Sequence, residues 1–257
     1  MCLVTFQYKL NDDYPLILVQ NRDEFYMRPS LPLHQWADFP HVLAGRDKKH
    51  GGTWSGVTLS GRFASLTNHP FTDFSKNGET KSRGLLVKDY LTDNSQPEAV
   101  LNQLKDHRFN YDSYHLLFGT IDNLYMYSNA TNDTSHFEAG THAVSNTYDE
   151  LSNHKKDRSR LLLTDYLSRT SEPRLDDLIT LFKDDVPVES ISHVPDGLTY
   201  DNAMSASPIF IKANEFGTVN TTALLVHKSG RVTIKEVRYN QNGVMEETEE
   251  SFNLKTH

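Results

Sequence analysis

The sequence predicts an α+β protein whose sheets are mostly antiparallel. Apolar, β-branched segments are joined by short turn clusters, as in hairpins, and the order along the chain is strands, helices, strands, helices, strands. No β-α-β unit recurs, so a parallel sheet is not expected. Because no segment rich in Pro, Gly or Ser divides the 257 residues, we expect a single domain that spans residues 1–257.

Two hairpins are predicted near the start of the chain. Cys2–Tyr8 and Leu16–Asn21 are rich in strand-forming residues, and the polar segment Asn11–Pro15 between them is typical of a turn. Thr53–Leu59 and Arg62–Thr67 repeat this pattern around a Ser-Gly turn. The chain should therefore open with antiparallel strands.

The rest of the chain alternates between helices and strands. The polar segment Phe71–Thr80 predicts a surface loop, followed by a helix over Leu85–Leu91 and a second over Glu98–Asp106 with a proline just before it. Apolar residues at helical spacing predict two later helices, along Leu161–Leu167 and Leu175–Phe182. The remaining predicted strands are Tyr114–Gly119, Leu124–Asn129, His142–Ser145, Thr221–His227 and Val232–Val237.

Charge and hydropathy exclude several classes of protein. A net charge of −8 and a pI near 5.8 argue against nucleic acid or an anionic membrane surface as a partner. The apolar runs are far too short to cross a bilayer, and the first residues lack the pattern of a secretory signal. We therefore expect a cytoplasmic protein with no membrane span.

The motifs of common metal and cofactor enzymes are missing from the sequence. It has no phosphate-binding glycine loop, no nucleophile elbow and no paired-histidine metal spacing. A single cysteine excludes an intramolecular disulfide and a thiolate-caged zinc site. We expect neither a metal nor a resident cofactor.

Cys2 is the residue that carries the clearest chemistry. An initiator methionine is removed when the second side chain is small, and the mature chain would then begin with a thiol and a free α-amine on one residue. The amine titrates near pKa ~7.7–8.0 and a cysteine thiol near ~8.5. Because these values are close, the amine can accept the thiol proton without a separate histidine. The position of Cys2 alone is weak evidence for this chemistry, because a cysteine can occupy the second position of a chain by chance.

The hairpin partner of Cys2 ends in the tetrapeptide Asn21-Arg22-Asp23-Glu24. With a turn at residues 11–14, Cys2 faces Arg22 in one register and Asp23 in the other. Arg22 would stabilise a thiolate, whereas Asp23 would hold the α-ammonium. The alternative interpretation is an exposed strand end with ordinary surface ion pairs.

Several short motifs occur in a fixed order along the chain. They are Met1-Cys2, Asn21-Arg22-Asp23-Glu24-Phe25, Gly51-Gly52-Thr53-Trp54, Thr67-Asn68, Ser82-Arg83-Gly84, Ser145-Asn146 and Gly217-Thr218-Val219-Asn220-Thr221-Thr222. Together they resemble the NRDE protein family, also called transport and Golgi organisation protein 2-like, over essentially the whole chain. Two positions depart from the family pattern: Val219 stands where the family usually has Arg, and Tyr148-Asp149 replaces a Pro-Trp pair.

The NRDE family is similar to N-terminal-nucleophile hydrolases, especially the cysteine branch with penicillin V acylase and bile-salt hydrolase. This resemblance implies a four-layer αββα sandwich of two mostly antiparallel sheets. It also implies that Cys2 is the nucleophile and α-amino base and that Arg22 and Asp23 line it. Asn146 would donate its side chain to the oxyanion hole.

Three further residues are secondary candidates. Glu24 competes with Asp23, because the hydrolases space their Arg and Asp differently. Asn21 belongs to the same tetrapeptide, and Asn68 is the candidate for a second oxyanion-hole donor.

These residues support more than one class of function. The first hypothesis is hydrolysis of a linear amide (C–N) bond in a small molecule, through a thioester on Cys2. The alternative is a non-catalytic binding or trafficking protein on the same fold, for a hydrophobic ligand such as haem or a lipid intermediate, with which the family has been connected. In a third interpretation, Cys2 is a redox-sensitive thiol whose pKa Arg22 lowers.

Overall fold

The computed structural model describes residues 2–69, 80–146, 149–194 and 198–255. Contacts group the chain into two compact units, and each is described by itself. The first unit contains Met1–Arg28 and Ala139–Ser251, and the second contains Pro29–Glu138 and Phe252–His257. The single domain expected from the absence of a linker stays a prediction.

The first unit is built on a six-stranded sheet. In order across the sheet, its strands are β10 (Gly140–Val144), β1 (Cys2–Tyr8), β2 (Leu16–Phe25), β11 (Phe216–Val226), β12 (Arg231–Asn240) and β13 (Gly243–Asn253). β1 and β2 form the predicted hairpin and are buried along nearly their whole length, as expected for strands covered on both faces. Since β1 pairs with β10 on one side and β2 on the other, the start of the chain is held inside the sheet.

Two helices cover one face of this sheet. α3 (Glu150–Ser168) contacts β1 and β10, and α4 (Leu175–Leu181) contacts β11 and β12. α4 has the predicted apolar face, but α3 begins well before its predicted apolar stripe. Its first turn is capped by Asp149, whose carboxylate accepts a hydrogen bond from the Ser152 backbone N–H at 2.7 Å.

The second unit is a seven-stranded antiparallel sheet whose strands follow one another in chain order. They are β3 (Ser30–Gln35), β4 (Val42–Asp47), β5 (Ser55–Thr58), β6 (Arg62–Asn68), β7 (Tyr114–Thr120), β8 (Leu124–Ser128) and β9 (Asp133–His136). α1 (Gly84–Thr92) packs on β4, β5 and β6, and α2 (Pro97–Asp106) packs on β7 and β8. The predicted second hairpin and the two predicted helices are therefore confirmed within a few residues at their ends.

Several elements are absent from the sequence prediction, among them β3, β4, β9, β13 and the short helix α5 (Tyr200–Ser205). β3 contains Pro32, which is tolerated because this strand lies at the sheet edge. β4 contains Gly45, where a Cβ would lie 2.4 Å from the ring of Trp54. Proline and glycine usually argue against a strand, and here each is explained by its position in the sheet.

The surface loop predicted at Phe71–Thr80 lies, apart from Thr80, outside the described residues. The same holds for Tyr148, one of the residues that depart from the family pattern. In the described part of the chain, no helix has both the length and the apolar character needed to span a membrane.

Candidate active site

The hairpin register places Cys2 beside Arg22. Leu3 pairs with Asn21 and Cys2 pairs with Arg22, which is the first of the two registers that the sequence predicts. Directly opposed residues of an antiparallel pair project to the same face, with Cβ atoms about 4.5–5.5 Å apart. Arg22 is only 6% exposed, so its guanidinium acts on the Cys2 thiol with little screening by water.

Asn146 approaches Cys2 from the other side of β1. β10 pairs with β1, with Val144 opposite Val4, and the chain continues beyond β10 along the end of β1. The backbone nitrogen of Cys2 donates a hydrogen bond of 2.8 Å to Oδ1 of Asn146, which is buried. Because Oδ1 accepts this bond, Nδ2 is the atom of the side-chain amide that can donate to another group.

Asp23 is buried and tightly held. Its Oδ1 accepts a hydrogen bond of 2.6 Å from the Thr218 hydroxyl. The same hydroxyl oxygen accepts a bond of 2.9 Å from the Ile211 backbone N–H, and the Thr218 N–H donates to the Ile211 carbonyl at 2.9 Å. These bonds leave Thr218 one orientation, and they hold the Asp23 carboxylate in place.

A β-bulge brings Thr218 opposite Asp23. The pairing of β11 with β2 shifts next to Thr218, so Val219 is the extra residue of the bulged strand. Regular pairing would place Val219 opposite Asp23 and would leave the carboxylate without the hydroxyl. Just before the bulge, a Cβ at Gly217 would lie 2.1 Å from the hydroxyl oxygen of Tyr26. The Gly-Thr motif is therefore explained by a close approach and by a hydrogen bond to Asp23.

Lys155 brings a buried cation from α3 towards Asp23. It is 6% exposed and lies on the buried stripe of this helix with Leu151, Ser159 and Leu163. A hydrogen bond of 2.7 Å between the side chains of Ser159 and Thr5 shows that the stripe faces β1. A lysine in this position replaces an apolar residue in the core of the first unit.

Asp23 and Lys155 change each other's ionisation. Burial raises the pKa of the Asp23 carboxyl, and the positive charge of Lys155 opposes this rise. Burial likewise lowers the pKa of the Lys155 ammonium, and the negative charges of Asp23 and Asp149 oppose this fall. Each charge therefore stabilises the other in a region with little water.

The surroundings of the Cys2 thiol favour its protonated form. Burial raises the pKa of this thiol, although the residue as a whole keeps intermediate exposure, and the negative charge of Asp23 acts in the same direction. The charge of Arg22 and the backbone N–H of Asp23 lower the pKa, but they do not overcome burial. A thiol in these surroundings would need a base to remove its proton before it could act as a nucleophile.

A row of polar residues crosses the sheet from Cys2. Asn220 lies opposite Arg22, and Arg238 lies opposite Asn220, so all of them project to the face that Cys2 uses. Oε2 of Glu24 lies 3.9 Å from Nη2 of Arg22, which makes Glu24 a weak partner of the guanidinium. Asn220 is 1% exposed, and its Oδ1 accepts no hydrogen bond within the described segments. The row thus contains two guanidinium groups, those of Arg22 and Arg238, and one buried acceptor, Oδ1 of Asn220.

The secondary candidates Asn21 and Asn68 lie in different parts of the structure. Asn21 projects to the helix-covered face, where its Nδ2 donates to the carbonyls of Phe182 and Ile209, each at 2.9 Å. Its Oδ1 accepts a bond of 2.7 Å from the Thr221 hydroxyl, so the amide is fully used in tying β2 to its neighbours. Asn68 ends β6 in the second unit, and its role as a second donor stays a prediction.

Sequence reasoning gives no role to Lys155 or Thr218. Lys155 lies in a polar segment without an obvious period, but counting back from Leu163 in steps of four places it on the buried stripe. That spacing is the signal that could have found it. Thr218 depends on a bulge, which regular pairing rules do not predict. No group of three or more His, Cys, Asp or Glu side chains that could hold a metal ion occurs in the described part of the chain.

Comparisons of the sequence with known proteins agree along the whole chain. The model of the family described as transport and Golgi organisation 2 matches residues 1–241. The transport and Golgi organization protein 2 homolog of Homo sapiens is 29% identical over 259 residues, and the alignment covers 92% of each chain. The similarity therefore extends well beyond the short motifs.

Solved structures of hydrolases have a similar fold. A mutant of the conjugated bile acid hydrolase from Clostridium perfringens superposes with a TM-score of 0.57 at 12% identity and covers 99% of this chain and 92% of that one. The Caenorhabditis elegans ortholog of N-acylethanolamine-hydrolyzing acid amidase has a TM-score of 0.52 at 8% identity and covers 87% of this chain and 92% of that one. The predicted fold class, α+β with two antiparallel sheets as in N-terminal-nucleophile hydrolases, is confirmed.

Proposed function

The chain belongs to the transport and Golgi organisation 2 family, and from this and the geometry at Cys2 we propose that it hydrolyses linear amide bonds through Cys2 once Met1 is removed. One observation carries the proposal. The nitrogen that would become the free α-amine already donates a 2.8 Å hydrogen bond to Asn146, on a residue whose side chain shares a face with Arg22. The sulfur, the base and an amide donor are thus gathered at one strand end.

The first half of the reaction forms a thioester. The α-amine of Cys2 takes the thiol proton while the sulfur forms a bond to the substrate carbonyl carbon. Nδ2 of Asn146 donates to the resulting oxyanion. The α-ammonium then gives its proton to the substrate nitrogen, the C–N bond breaks, and the amine leaves.

The second half uses water. The α-amine removes a proton from a water molecule, whose oxygen attacks the thioester carbon and produces a second oxyanion at the same place. The C–S bond breaks, the sulfur regains its proton from the α-ammonium, and the carboxylic acid is released. The second half returns Cys2 to its starting state, so atoms and protons balance over the whole cycle.

The charged residues around Cys2 have complementary roles in this scheme. Arg22 stabilises the thiolate that forms during attack, because its guanidinium lies on the same face. Asp23 stabilises the α-ammonium, and its ionised form depends on the Thr218 hydroxyl and the charge of Lys155. Lys155 is therefore a positioning residue, which acts on the chemistry only through Asp23.

The solved structures with this fold support an amide as the substrate class. One of them is named an amidase that hydrolyses N-acylethanolamines, and the other is a hydrolase of conjugated bile acids. At 8% and 12% identity the likeness shows the fold alone. It suggests where to begin the search for a substrate: small molecules with an acyl chain on a primary or secondary amide.

Intact-mass spectrometry tests the proposal. The purified full chain is incubated with a panel of N-acyl amides that differ in acyl chain and in amine, and the reaction is stopped with acid. We expect a protein that lacks Met1 and that gains the mass of one acyl group, mapped to Cys2 by peptide fragmentation. Free amine and free acid should accumulate in the solution with repeated turnover.

Two outcomes contradict amide hydrolysis by Cys2. One is an active preparation that retains Met1, and the other is a chain without Met1 that gives neither an adduct nor released amine with the whole panel. The second outcome favours the alternative, a non-catalytic protein that binds a hydrophobic small molecule. Titration with haem then tests this alternative, because bound haem shifts its Soret absorption band.

Asn146→Ala should lower kcat by roughly 10²–10³-fold, the effect of removing one oxyanion-hole donor. The variant loses the acceptor of the Cys2 nitrogen as well as the Nδ2 donor. Amine release is measured under saturating substrate, and circular dichroism follows folding. Asn242→Ala, at an exposed turn position, is the matched control and should keep wild-type kcat. Wild-type kcat in Asn146→Ala would remove this residue from the mechanism.

A further inference from the structure

The second unit contains a cavity that is separate from the residues around Cys2. It has a volume of about 480 Å³ and is lined by residues of α1, of α2 and of the segment that leads into β7. This is within the size range of small-molecule sites, roughly 300–1,000 Å³. Its apolar wall includes Leu86 of α1 and Val100 and Leu104 of α2.

Aromatic rings form the inner part of the cavity. Tyr111 and Tyr114 meet edge to face with their ring centres 6.3 Å apart, and Tyr90 also lines the space. Tyr114 is 1% exposed, and its hydroxyl makes no hydrogen bond to any residue that the structure describes. Because this hydroxyl lines the cavity, a polar group that enters the cavity can form a hydrogen bond with it.

The rim of the cavity carries two carboxylates, Asp89 and Asp93, both from the end of α1. The Asp89 side chain is 63% exposed. Its partial burial and the negative charge of Asp93 raise its pKa, and the charges of Lys88 and Lys81 oppose this rise. The Lys88 ammonium lies 3.9 Å from Asp89, which is too far for a close ion pair. No lysine is among the described residues that line the cavity, so a cation that enters it would stabilise the Asp89 carboxylate from the cavity.

His107 also lines the cavity, whereas Arg62 lies next to Tyr90 outside the lining and is bonded elsewhere. Its guanidinium donates to the backbone carbonyls of Tyr90 and Ser95 and stacks 4.0 Å from the Tyr90 ring centre. The cavity thus combines negative rim charge, tyrosine rings and an apolar wall. Tyrosine faces attract cations, and tyrosine hydroxyls accept bonds from ammonium groups.

We propose that this cavity is a binding site for a small amphiphilic primary amine. Its ammonium group contacts the carboxylate of Asp89 and a tyrosine hydroxyl, and its alkyl or aryl part packs against Leu86, Val100 and Leu104. The three requirements, a cation, a hydrogen-bond donor and an apolar tail, follow from three separate groups of residues.

Calorimetric titration of the full chain with three probes of equal length tests the charge requirement. The probes are octylamine, octan-1-ol and octanoate, which differ only in the head group. We expect octylamine to bind at least about tenfold more tightly than octan-1-ol, because charge-assisted hydrogen bonds are stronger than neutral ones. Octanoate should bind least, since the rim carboxylates repel it. Equal affinities, or a preference for octanoate, would overturn the proposal.

Variants locate the site. Asp89→Asn should reduce octylamine affinity about tenfold, to that of octan-1-ol, and leave octan-1-ol binding unchanged. Asp106→Asn, an exposed carboxylate of α2 that does not line the cavity, makes the same change in net charge and should have no effect. Val100→Trp fills the cavity and should abolish binding of both probes, with folding checked by circular dichroism. Equal effects of Asp89→Asn and Asp106→Asn would place the amine elsewhere, and the result is independent of amide hydrolysis by Cys2.

Discussion

Cys2→Ala should abolish amide hydrolysis, with a loss of turnover of at least about 10⁴-fold, and should change the free energy of unfolding by no more than about 1 kcal/mol. The substitution removes one sulfur atom at a strand end and keeps both the α-amine and its hydrogen bond to Asn146. Folding therefore survives, while no thioester can form. Amine release measures the first quantity, and denaturant unfolding measures the second.

Two controls separate nucleophilic chemistry from a structural effect. Cys2→Ser keeps the α-amine and should also lose nearly all turnover, because a hydroxyl is a far weaker nucleophile than a thiol at neutral pH. In the wild type, the rate of alkylation of Cys2 should rise with a midpoint above the ordinary thiol pKa of ~8.5, because burial raises the pKa of this thiol. Unchanged amine release by Cys2→Ala would end the hydrolase proposal.

Lys155→Met should lower the free energy of unfolding at neutral pH by up to about 3–5 kcal/mol, the cost of breaking a close buried ion pair, because the charge of Lys155 acts on the buried Asp23 carboxylate. Methionine fills much of the same space, so the effect comes from the uncompensated Asp23 carboxylate and not from a cavity. Lys156→Met, at the next position but off the buried stripe, is the matched control and should cost far less. Both are measured by denaturant unfolding.

The stability that Lys155→Met loses relative to the wild type should increase as pH rises. Without the lysine charge, nothing on α3 opposes the effect of burial, which raises the pKa of Asp23. A carboxyl with a higher pKa in the folded chain than in the unfolded chain favours folding below the unfolded value of about 3.9, and this contribution disappears as pH rises through the folded value. The loss should therefore be small near pH 4 and large near pH 7. The double variant with Asp23→Asn should recover most of it and show little pH dependence, whereas equal stability of Lys155→Met and the wild type at pH 7 would show that the pair is not stabilising.

Local sequence patterns predicted most of the first unit's sheet. The turn at Asn11–Pro15 and the apolar segments on its two sides were compatible with two registers of the β1–β2 hairpin. The structure has one of them, with Cys2 opposite Arg22. α4 was predictable because its apolar residues recur at helical spacing. The start of α3 was not, because its buried stripe contains Lys155 and Ser159 where a helix of this kind usually has apolar residues.

The candidate site was predictable only in part, for a physical reason. Cys2 and Arg22 lie on the two strands of one short hairpin, so strand-pairing rules predict that they are close together. Asn146 and Thr218 reach the same region from distant parts of the chain, and their approach depends on which strands are neighbours in the sheet. Periodicity within a segment carries no information about that order, and only the resemblance to a family singled out Asn146.

The bulge in β11 has a consequence for how this protein can vary. Val219 is the extra residue of the bulge, and it has no position in the ladder of paired residues. Its neighbours Thr218 and Asn220 keep their partners whatever side chain lies between them. Replacement of Val219 should therefore leave the register unaffected, so a change at this position can alter the surroundings of Cys2 without rebuilding the sheet.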